Sequence, residues 1–345
     1  MPLSPMALFA AASLMPLALL ALGLWLGGLW VLGGLLYMAV LTALLDQFIP
    51  LVAPDAPEGA EFPAADALLV ALAIGHLAAM PVAVWAIAGA GDLSGFGRMA
   101  LFLGFGQYFG QVSNPMAHEL IHRGNRSLFR LGMVVYISML FGHHTSAHRL
   151  VHHRHVCSDL DPNSALPDES YYRFAPRAWI GSFRAGLVAE TALRAKGARG
   201  IHPYAIYIGG AALALALGYA IAGLPGVVTW AALSLYATAQ LLLSDYVQHY
   251  GLTRARTTDG KLEAVGDKHS WNAPHWFSSA VMLNAPRHSD HHAHPTRPYP
   301  ALRLPDPDRA PWLPYSLPTC AVIALFPTLW RRMMKRRLAA WQQSA

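Results

Sequence analysis

Residues 7–28 read ALFAAASLMPLALLALGLWLGG, and the run continues without a charged side chain to LYMAVLTALL at 36–45. A membrane-spanning helix needs about 20 predominantly apolar residues. The stretch 7–45 is therefore long enough for two tightly joined spans, with the Gly-Gly pairs at 27–28 and 33–34 as turn points. Residues 66–90, 96–113, 203–222 and 226–247 supply four more, the last two separated by the breaker Ala-Gly-Leu-Pro-Gly. The pattern predicts an all-α membrane protein of about six transmembrane helices, near 7–24, 26–45, 66–90, 96–113, 203–222 and 226–247. They belong to one membrane-embedded domain, 1–345, capped by histidine-rich regions at 114–200 and 248–303.

Composition agrees. The chain has 345 residues, of which 54% are hydrophobic and 13% charged, and a mean hydropathy of +0.34, outside the range of an ordinary soluble domain. The opening run lacks a basic leader and is too long for a cleaved signal peptide, so these residues are expected to stay. Lys and Arg cluster at 123–200 and 254–338, whereas the links near 91–97 and 223–226 have none. The positive-inside rule then puts both basic regions in the cytoplasm. The link 46–65 fits less well. It carries Asp46, Asp55, Glu58 and Glu61 with no Lys or Arg, yet six spans put it on the same side. Cys157 and Cys320 are far apart in sequence and offer neither a disulfide framework nor a cysteine metal motif.

The polar chemistry is concentrated in histidine blocks. HELIH sets His118 and His122 at i and i+4, one face of a helix and the spacing that chelates a metal. Taken alone this is also the zinc-protease pattern, with Glu119 as general base. HRLVHHRH sets His148 and His152 at the same interval with His153 beside them, and RHSDHH sets His288, His291 and His292 at i, i+3 and i+4. His249 stands in SDYVQHYG at the end of the last apolar stretch. A structural zinc takes four ligands and a catalytic zinc three plus water. These nine imidazoles suit two ions with about four or five ligands each, leaving room for oxygen. Imidazole binds iron, copper, nickel and zinc alike, so the ligands do not name the metal. Neutral imidazoles leave the ions' charge uncompensated. Asp290, Asp159, Asp161, Glu119 and Asp245 lie in or beside the blocks, where a carboxylate can accept the free N–H of a ligating ring. Asp159 and Asp161 also read as turn residues, in Asp-Leu-Asp-Pro-Asn. Taken singly, His143, His144, His155, His202, His269, His275 and His294 read as surface residues of the cap, and His76, inside an apolar stretch, as a hydrogen-bonded packing residue. A metal transporter would need ionisable groups spread along several spans; here they gather at one end.

HELIH, then H-x-x-x-HH followed by DPNSA, then DYVQHYGL, then RHSDHHAHPTRPYPALR resemble, in order from 118 to 303, the histidine boxes of the integral-membrane alkane hydroxylases, within the membrane fatty-acid-desaturase-like superfamily. The resemblance implies a non-haem centre of two iron ions facing the cytoplasm, ligated by His118, His122, His148, His152, His153, His249, His288, His291 and His292. With O2 as co-substrate it would hydroxylate a terminal C–H bond of an apolar substrate drawn from the bilayer, n-alkane to 1-alkanol. It also implies a bacterial inner-membrane setting among membrane lipids, no nucleic acid, and a rubredoxin or ferredoxin with its NAD(P)H reductase as donor. The first two boxes suit a desaturase or a fatty-acid or sterol hydroxylase equally well, and xylene methyl hydroxylases share several boxes. Many members carry Glu before the first histidine of the second box and Asn after it, where this chain has Ala147 and Arg149. Such a cation beside a ligand is expected to pair with Asp159, Asp161, Asp168 or Glu169.

An external donor also follows from what the sequence lacks. It has no cysteine quartet for an iron–sulfur centre, and Gly104 and Gly106 sit in an apolar helix rather than in a nucleotide-binding turn. Arg331, Arg332, Lys335, Arg336 and Arg337 could steer an acidic carrier or hold anionic lipid headgroups. Trp25, Trp30, Tyr37, Trp85, Phe102, Phe105 and Tyr108 are the aromatics available to constrict a substrate path, although packing or lipid contact is their commoner use.

Overall fold

The computed structural model describes residues 4–89, 93–197 and 199–344; the last residue of the 66–90 stretch and part of the link at 91–97 lie outside them. Helix α1, Pro5–Leu26, starts where the Ser4 hydroxyl accepts the Ala7 N–H at 3.2 Å, with Pro5 in the first turn. It ends at Gly27 and Gly28, whose φ of 63° and 55° suits residues without a Cβ, and α2, Gly28–Phe48, runs back along it. The second glycine pair is no turn: Gly33 and Gly34 are helical, and Gly34 packs against the Leu20 side chain.

Helix α3 is Ala64–Ile87. Helix α4, Gly95–Tyr108, passes through a wide π-turn at Phe109–Ser113 into α5, Asn114–Ile121, which carries the first histidine block. Asn125 caps α6, Arg126–Ser138. The second block is α7, His144–Ala147, a π-turn at His148–His152, and α8, His153–His155. Helix α9 is Tyr171–Ala195, and α10 is Pro203–His249. Its backbone leaves the helix at Ala222 and Gly223, and a Cβ on Gly226 would collide with the Gly218 carbonyl oxygen. Residues eight apart in a straight helix are separated by about 12 Å, so α10 doubles back as a hairpin whose arms match the stretches 203–222 and 226–247.

Among the described residues, four helices are long and apolar enough, by length and composition, to cross a membrane: α1, α2, α3 and α10. The stretch 96–113 is not among them, because α-helix covers only 96–108 of it before the π-turn. Among the described residues there are no strands, only the isolated bridges Val52–His275, Arg256–Leu262 and Asn272–Trp312.

The cap holds two further helices, α11, Trp276–Val281, and α12, His288–Ala293, the third histidine block. The acidic link 46–65 lies against it. Asp46 accepts the N–H groups of Phe277 and Ser278 at 3.0 and 3.2 Å, and buried Arg287 donates to Asp55 at 2.5 Å and to the carbonyls of Ala53 and Leu302 at 2.6 Å each. The link therefore lies against the cap beside the third histidine block. Helices α13, Leu317–Ala324, and α14, Pro327–Ser344, follow the last histidine region and had no counterpart in the sequence reading. Fully buried Trp330 anchors α14 on the rings of Tyr246 and Tyr250, 5.8 and 5.4 Å away.

Candidate metal centre

The nine histidines converge in two groups. His118, His122, His148, His153 and His291 form one, and His152, His249, His288 and His292 the other; within each, one ring nitrogen per residue lies within 4.8 Å of the rest. The HELIH pair keeps its i, i+4 partnership. The second block does not: its π-turn sets His148 and His153, five apart, Nε2 to Nε2 at 2.8 Å, and turns His152 to the other group. In α12, His288 and His292 share a group, Nε2 to Nε2 at 3.2 Å, while His291 joins the first. Blocks two and three thus each contribute to both groups, which ties the two together.

This arrangement fits metal ions. Nε2 of His148 lies 2.7 Å from that of His118 and 2.8 Å from that of His153. A neutral ring nitrogen offers one proton or one lone pair, which cannot pair normally with both. Nε2 of His122 and of His152 is buried with no partner. A cation taking a lone pair from each nitrogen satisfies all of them. Most of the rings are also in the right state; for His152 burial opposes protonation, but the Asp161 carboxylate outweighs it and draws the ring above the usual histidine range. Burial, then repulsion among the imidazoles, pushes His118 down to about 3 and holds His122, His148, His153, His288, His291 and His292 well below the usual histidine range. Each is neutral, as a ligand must be.

Nδ1 partners fix the orientation of His152 and His249. Asp161 Oδ2 lies 2.8 Å from Nδ1 of His152, and Asp161 also accepts from the Ser164 hydroxyl at 2.7 Å and the Asn163 N–H at 3.1 Å. Burial opposes its ionisation, but these neighbours outweigh it and hold the carboxyl below the usual range. Asp161 thus both closes the local turn and meets a ring of the histidine cluster. The other carboxylates make different contacts. Asp290 accepts from His294, Arg297 and the Arg303 N–H, pinning the 294–303 loop. Glu119 accepts the Tyr299 N–H at 3.1 Å; burial pushes it up to about 7 against the pull of Arg123. Asp245 accepts from Asn163 Nδ2 at 2.7 Å, and exposed Asp159 pairs with Arg256 at 3.2 Å. His249 instead uses a backbone group, its Nδ1 lying 3.1 Å from the His269 carbonyl, a partner no side-chain pattern announces.

A cavity of about 320 Å³ reaches the site between α2, α4, α10 and α13. Met38, Ala39, Leu241, Leu243, Met282, Leu317 and Val322 line it, and it ends on His118 and His148 with His288 and His291, so both groups face it. Across it lie Gln107, whose Nε2 donates to the Tyr236 hydroxyl at 2.8 Å, Gln111 bonded to Gln107, and Gln240, whose Nε2 donates to the Gly106 carbonyl at 2.8 Å. The aromatics that bound it are Tyr136, Tyr171 and Tyr236. None of the seven considered from the sequence does: Trp25, Trp30 and Trp85 are exposed, Phe105 and Tyr108 are core, Tyr37 packs near Phe277, and Phe102 backs Tyr236 at 5.9 Å.

Three histidines read as surface residues are buried: His143, His144, whose ring stands 4.9 Å from His148 at the cavity wall, and His269. His76 packs as expected, with Nε2 2.9 Å from the Ser138 hydroxyl. Among the described residues Arg149 makes no ion pair with a carboxylate, contrary to expectation. Arg149 is exposed with its guanidinium 4.8 Å over the Phe129 ring, while Asp161 serves His152, Asp159 serves Arg256 and Glu169 serves Arg177. Ala147 is buried against Gly186, whose added Cβ would come within 3.1 Å of the Ala147 methyl, so a Glu has no room there.

The chain matches the fatty acid desaturase family model over residues 94–324. It is 34% identical to alkane 1-monooxygenase 1 of Pseudomonas aeruginosa over 71% of this chain and 65% of that protein. It is 31% identical to an alkane 1-monooxygenase of Pseudomonas putida over 77% of this chain and 66% of that protein. The xylene/toluene monooxygenase hydroxylase component of Pseudomonas putida is 28% identical over 66% and 61% respectively. The chain thus spans just under two thirds of the length of the alkane 1-monooxygenases it matches. With the family model covering more than half of the chain, and the histidine blocks inside the matched region, this membrane-helix protein belongs to the fatty acid desaturase family.

Proposed function

We propose that the protein hydroxylates a terminal C–H bond of an apolar substrate, n-alkane to 1-alkanol, using O2 and two iron ions held by the nine histidines. The observation that carries this reading is the largely apolar cavity ending on both histidine groups. A reactive group there meets the end of an apolar chain, because the chain's length is accommodated between helices and only its tip reaches the imidazoles. Bound iron would supply the oxygen activation and C–H cleavage that no side chain performs. The chain's own residues do the rest. His118, His122, His148, His153 and His291 hold one ion, and His152, His249, His288 and His292 the other. Asp161 and the His269 carbonyl orient His152 and His249, and the apolar wall excludes water.

In this reading the chain crosses a bacterial inner membrane six times, with α4 as the fourth span and the two arms of α10 as the fifth and sixth, and the cap faces the cytoplasm. The substrate enters from the bilayer. Electrons come from a rubredoxin or ferredoxin and its NAD(P)H reductase. The relative acting on xylene and toluene, together with Tyr136, Tyr171 and Tyr236 in the wall, supports an aromatic methyl group as the second substrate class. Cells expressing the protein with a donor system, fed n-alkanes together with methylated aromatics, test the reading. The expected products are 1-alkanols; benzylic alcohols alone favour the second class, and no alcohol from either substrate class contradicts both.

A further inference from the structure

The four-histidine group is buried throughout, whereas the five-histidine group is partly exposed at His118, His122 and His153. His118 opens on the cavity; His122 and His153 are not part of its wall. Their exposure marks a second side, where the centre comes nearest the surface of the cap.

Arg149 stands at that place. It lies four residues from His153 across the π-turn, and its charge is felt at both His122 and His153. Its guanidinium is held 4.8 Å over Phe129 of α6, a contact that orients the cation without neutralising it. Arg126 and Arg130 flank Phe129 on α6, and Arg154 follows His153. All four arginines are exposed, and none makes an ion pair with a carboxylate among the described residues. Four exposed cations without carboxylate partners give this part of the cap a positive field that steers an acidic partner toward it.

Resting on the hydroxylase reading above, we infer that Arg149, with Arg126, Arg130 and Arg154, forms the docking surface for an acidic electron-carrier protein over His122 and His153. The substitution that departs from the family pattern is thereby explained: it serves the surface rather than the carboxylates of the cap. The cations of α14 are the rival surface. Trp330 anchors that helix on Tyr246 and Tyr250, beside the group whose four histidines are all buried, so it offers no exposed histidine edge.

The test is the affinity of the detergent-purified full chain for a purified acidic rubredoxin, at low and high salt, with metal content read alongside. Arg149→Glu should weaken binding roughly tenfold at low salt, the difference shrinking as salt screens the encounter. Arg149→Lys should recover most of the affinity, and Arg126→Glu with Arg130→Glu, on a helix that carries no clustered histidine, should reproduce the loss if Arg149→Glu fails to fold. Unchanged affinity in the charge reversals overturns the inference. So does loss confined to Arg331→Glu with Arg332→Glu and Lys335→Glu, which moves docking to α14. Loss of association with anionic phospholipid vesicles while rubredoxin still binds assigns the arginines to lipid and overturns it too. Failure of the parent protein to hydroxylate any substrate under a chemical reductant would count against the hydroxylase reading and leave the affinity series standing as its own test.

Discussion

His148 and His153 face each other Nε2 to Nε2 at 2.8 Å, five residues apart, while His152 between them points into the other histidine group. A regular α-helix would have paired His148 with His152 instead. The π-turn, a feature often found at functional sites, lets one short segment supply both groups.

The two-iron reading makes the two histidine groups separable metal positions. The purified protein should carry two irons per chain, His148→Ala should deplete the five-histidine position and His152→Ala the four-histidine one, each leaving about one iron. Metal analysis with a spectroscopic readout of the remaining ion checks this, and one zinc per chain without iron would contradict the two-iron assignment.

Asp161 is the only carboxylate of those singled out in the sequence that meets a clustered ring in the structure. Asp161→Asn should weaken metal retention by about 10–100-fold, the usual scale for a partner of a ligating histidine, whereas Asp159→Asn, whose partner is exposed Arg256, should not. Equal retention in both variants would remove Asp161 from the account.

The cavity's depth should set chain length. Tyr236 precedes His249 by 13 residues, about 20 Å along a helix, and its hydroxyl is held by Gln107. Tyr236→Ala should shift the product profile toward longer chains and Tyr236→Phe should shift it less, read by chromatography over a series of n-alkanes. An unchanged profile places the constriction elsewhere.

Restoring the common family residue at 147 should fail. Ala147→Glu sets a carboxylate against Gly186; overpacking costs typically 1–3 kcal/mol before the buried charge is counted. A lower Tm is expected, and a stable variant would mean that α7 and α9 can separate.

The loop that supplies the His269 carbonyl to His249 depends on Glu263. Its carboxylate meets Lys268 at 2.9 Å, the Ala255 N–H at 2.9 Å and His269 at 3.2 Å, and these contacts hold it down at about 2 from 4.5. A depressed carboxyl pKa stabilises above the unfolded value and loses that contribution as pH falls through the folded one. Protection of residues 254–269 in hydrogen exchange should therefore fall between pH 4.5 and 2. Glu263→Gln should show the weaker protection already at neutral pH; if it does not, the loop is held by other contacts.

The apolar runs and histidine intervals made much of this legible, because both are local. Span length shows in residues 7–45, and His118 with His122 behave as their spacing says. What failed to show depended on register or on distant backbone. Nothing in HRLVHHRH announces a π-turn, so the partition of His148 from His152 was hidden. The His269 carbonyl has no side-chain signature. Arg149 looked like half of an ion pair because proximity in sequence suggested Asp159 and Asp161, whereas folding committed those to Arg256 and His152. Helices α13 and α14 were missed because their stretches are short or rich in cations; it is Trp330, docking on Tyr246 and Tyr250, that holds α14.

The most direct measurement is the isotopic composition of the product formed by the purified, iron-loaded protein from n-octane under ¹⁸O₂ with a reduced donor. The account expects 1-octanol carrying the heavy oxygen. An alkene without oxygen, or an alcohol whose oxygen comes from water, would contradict it.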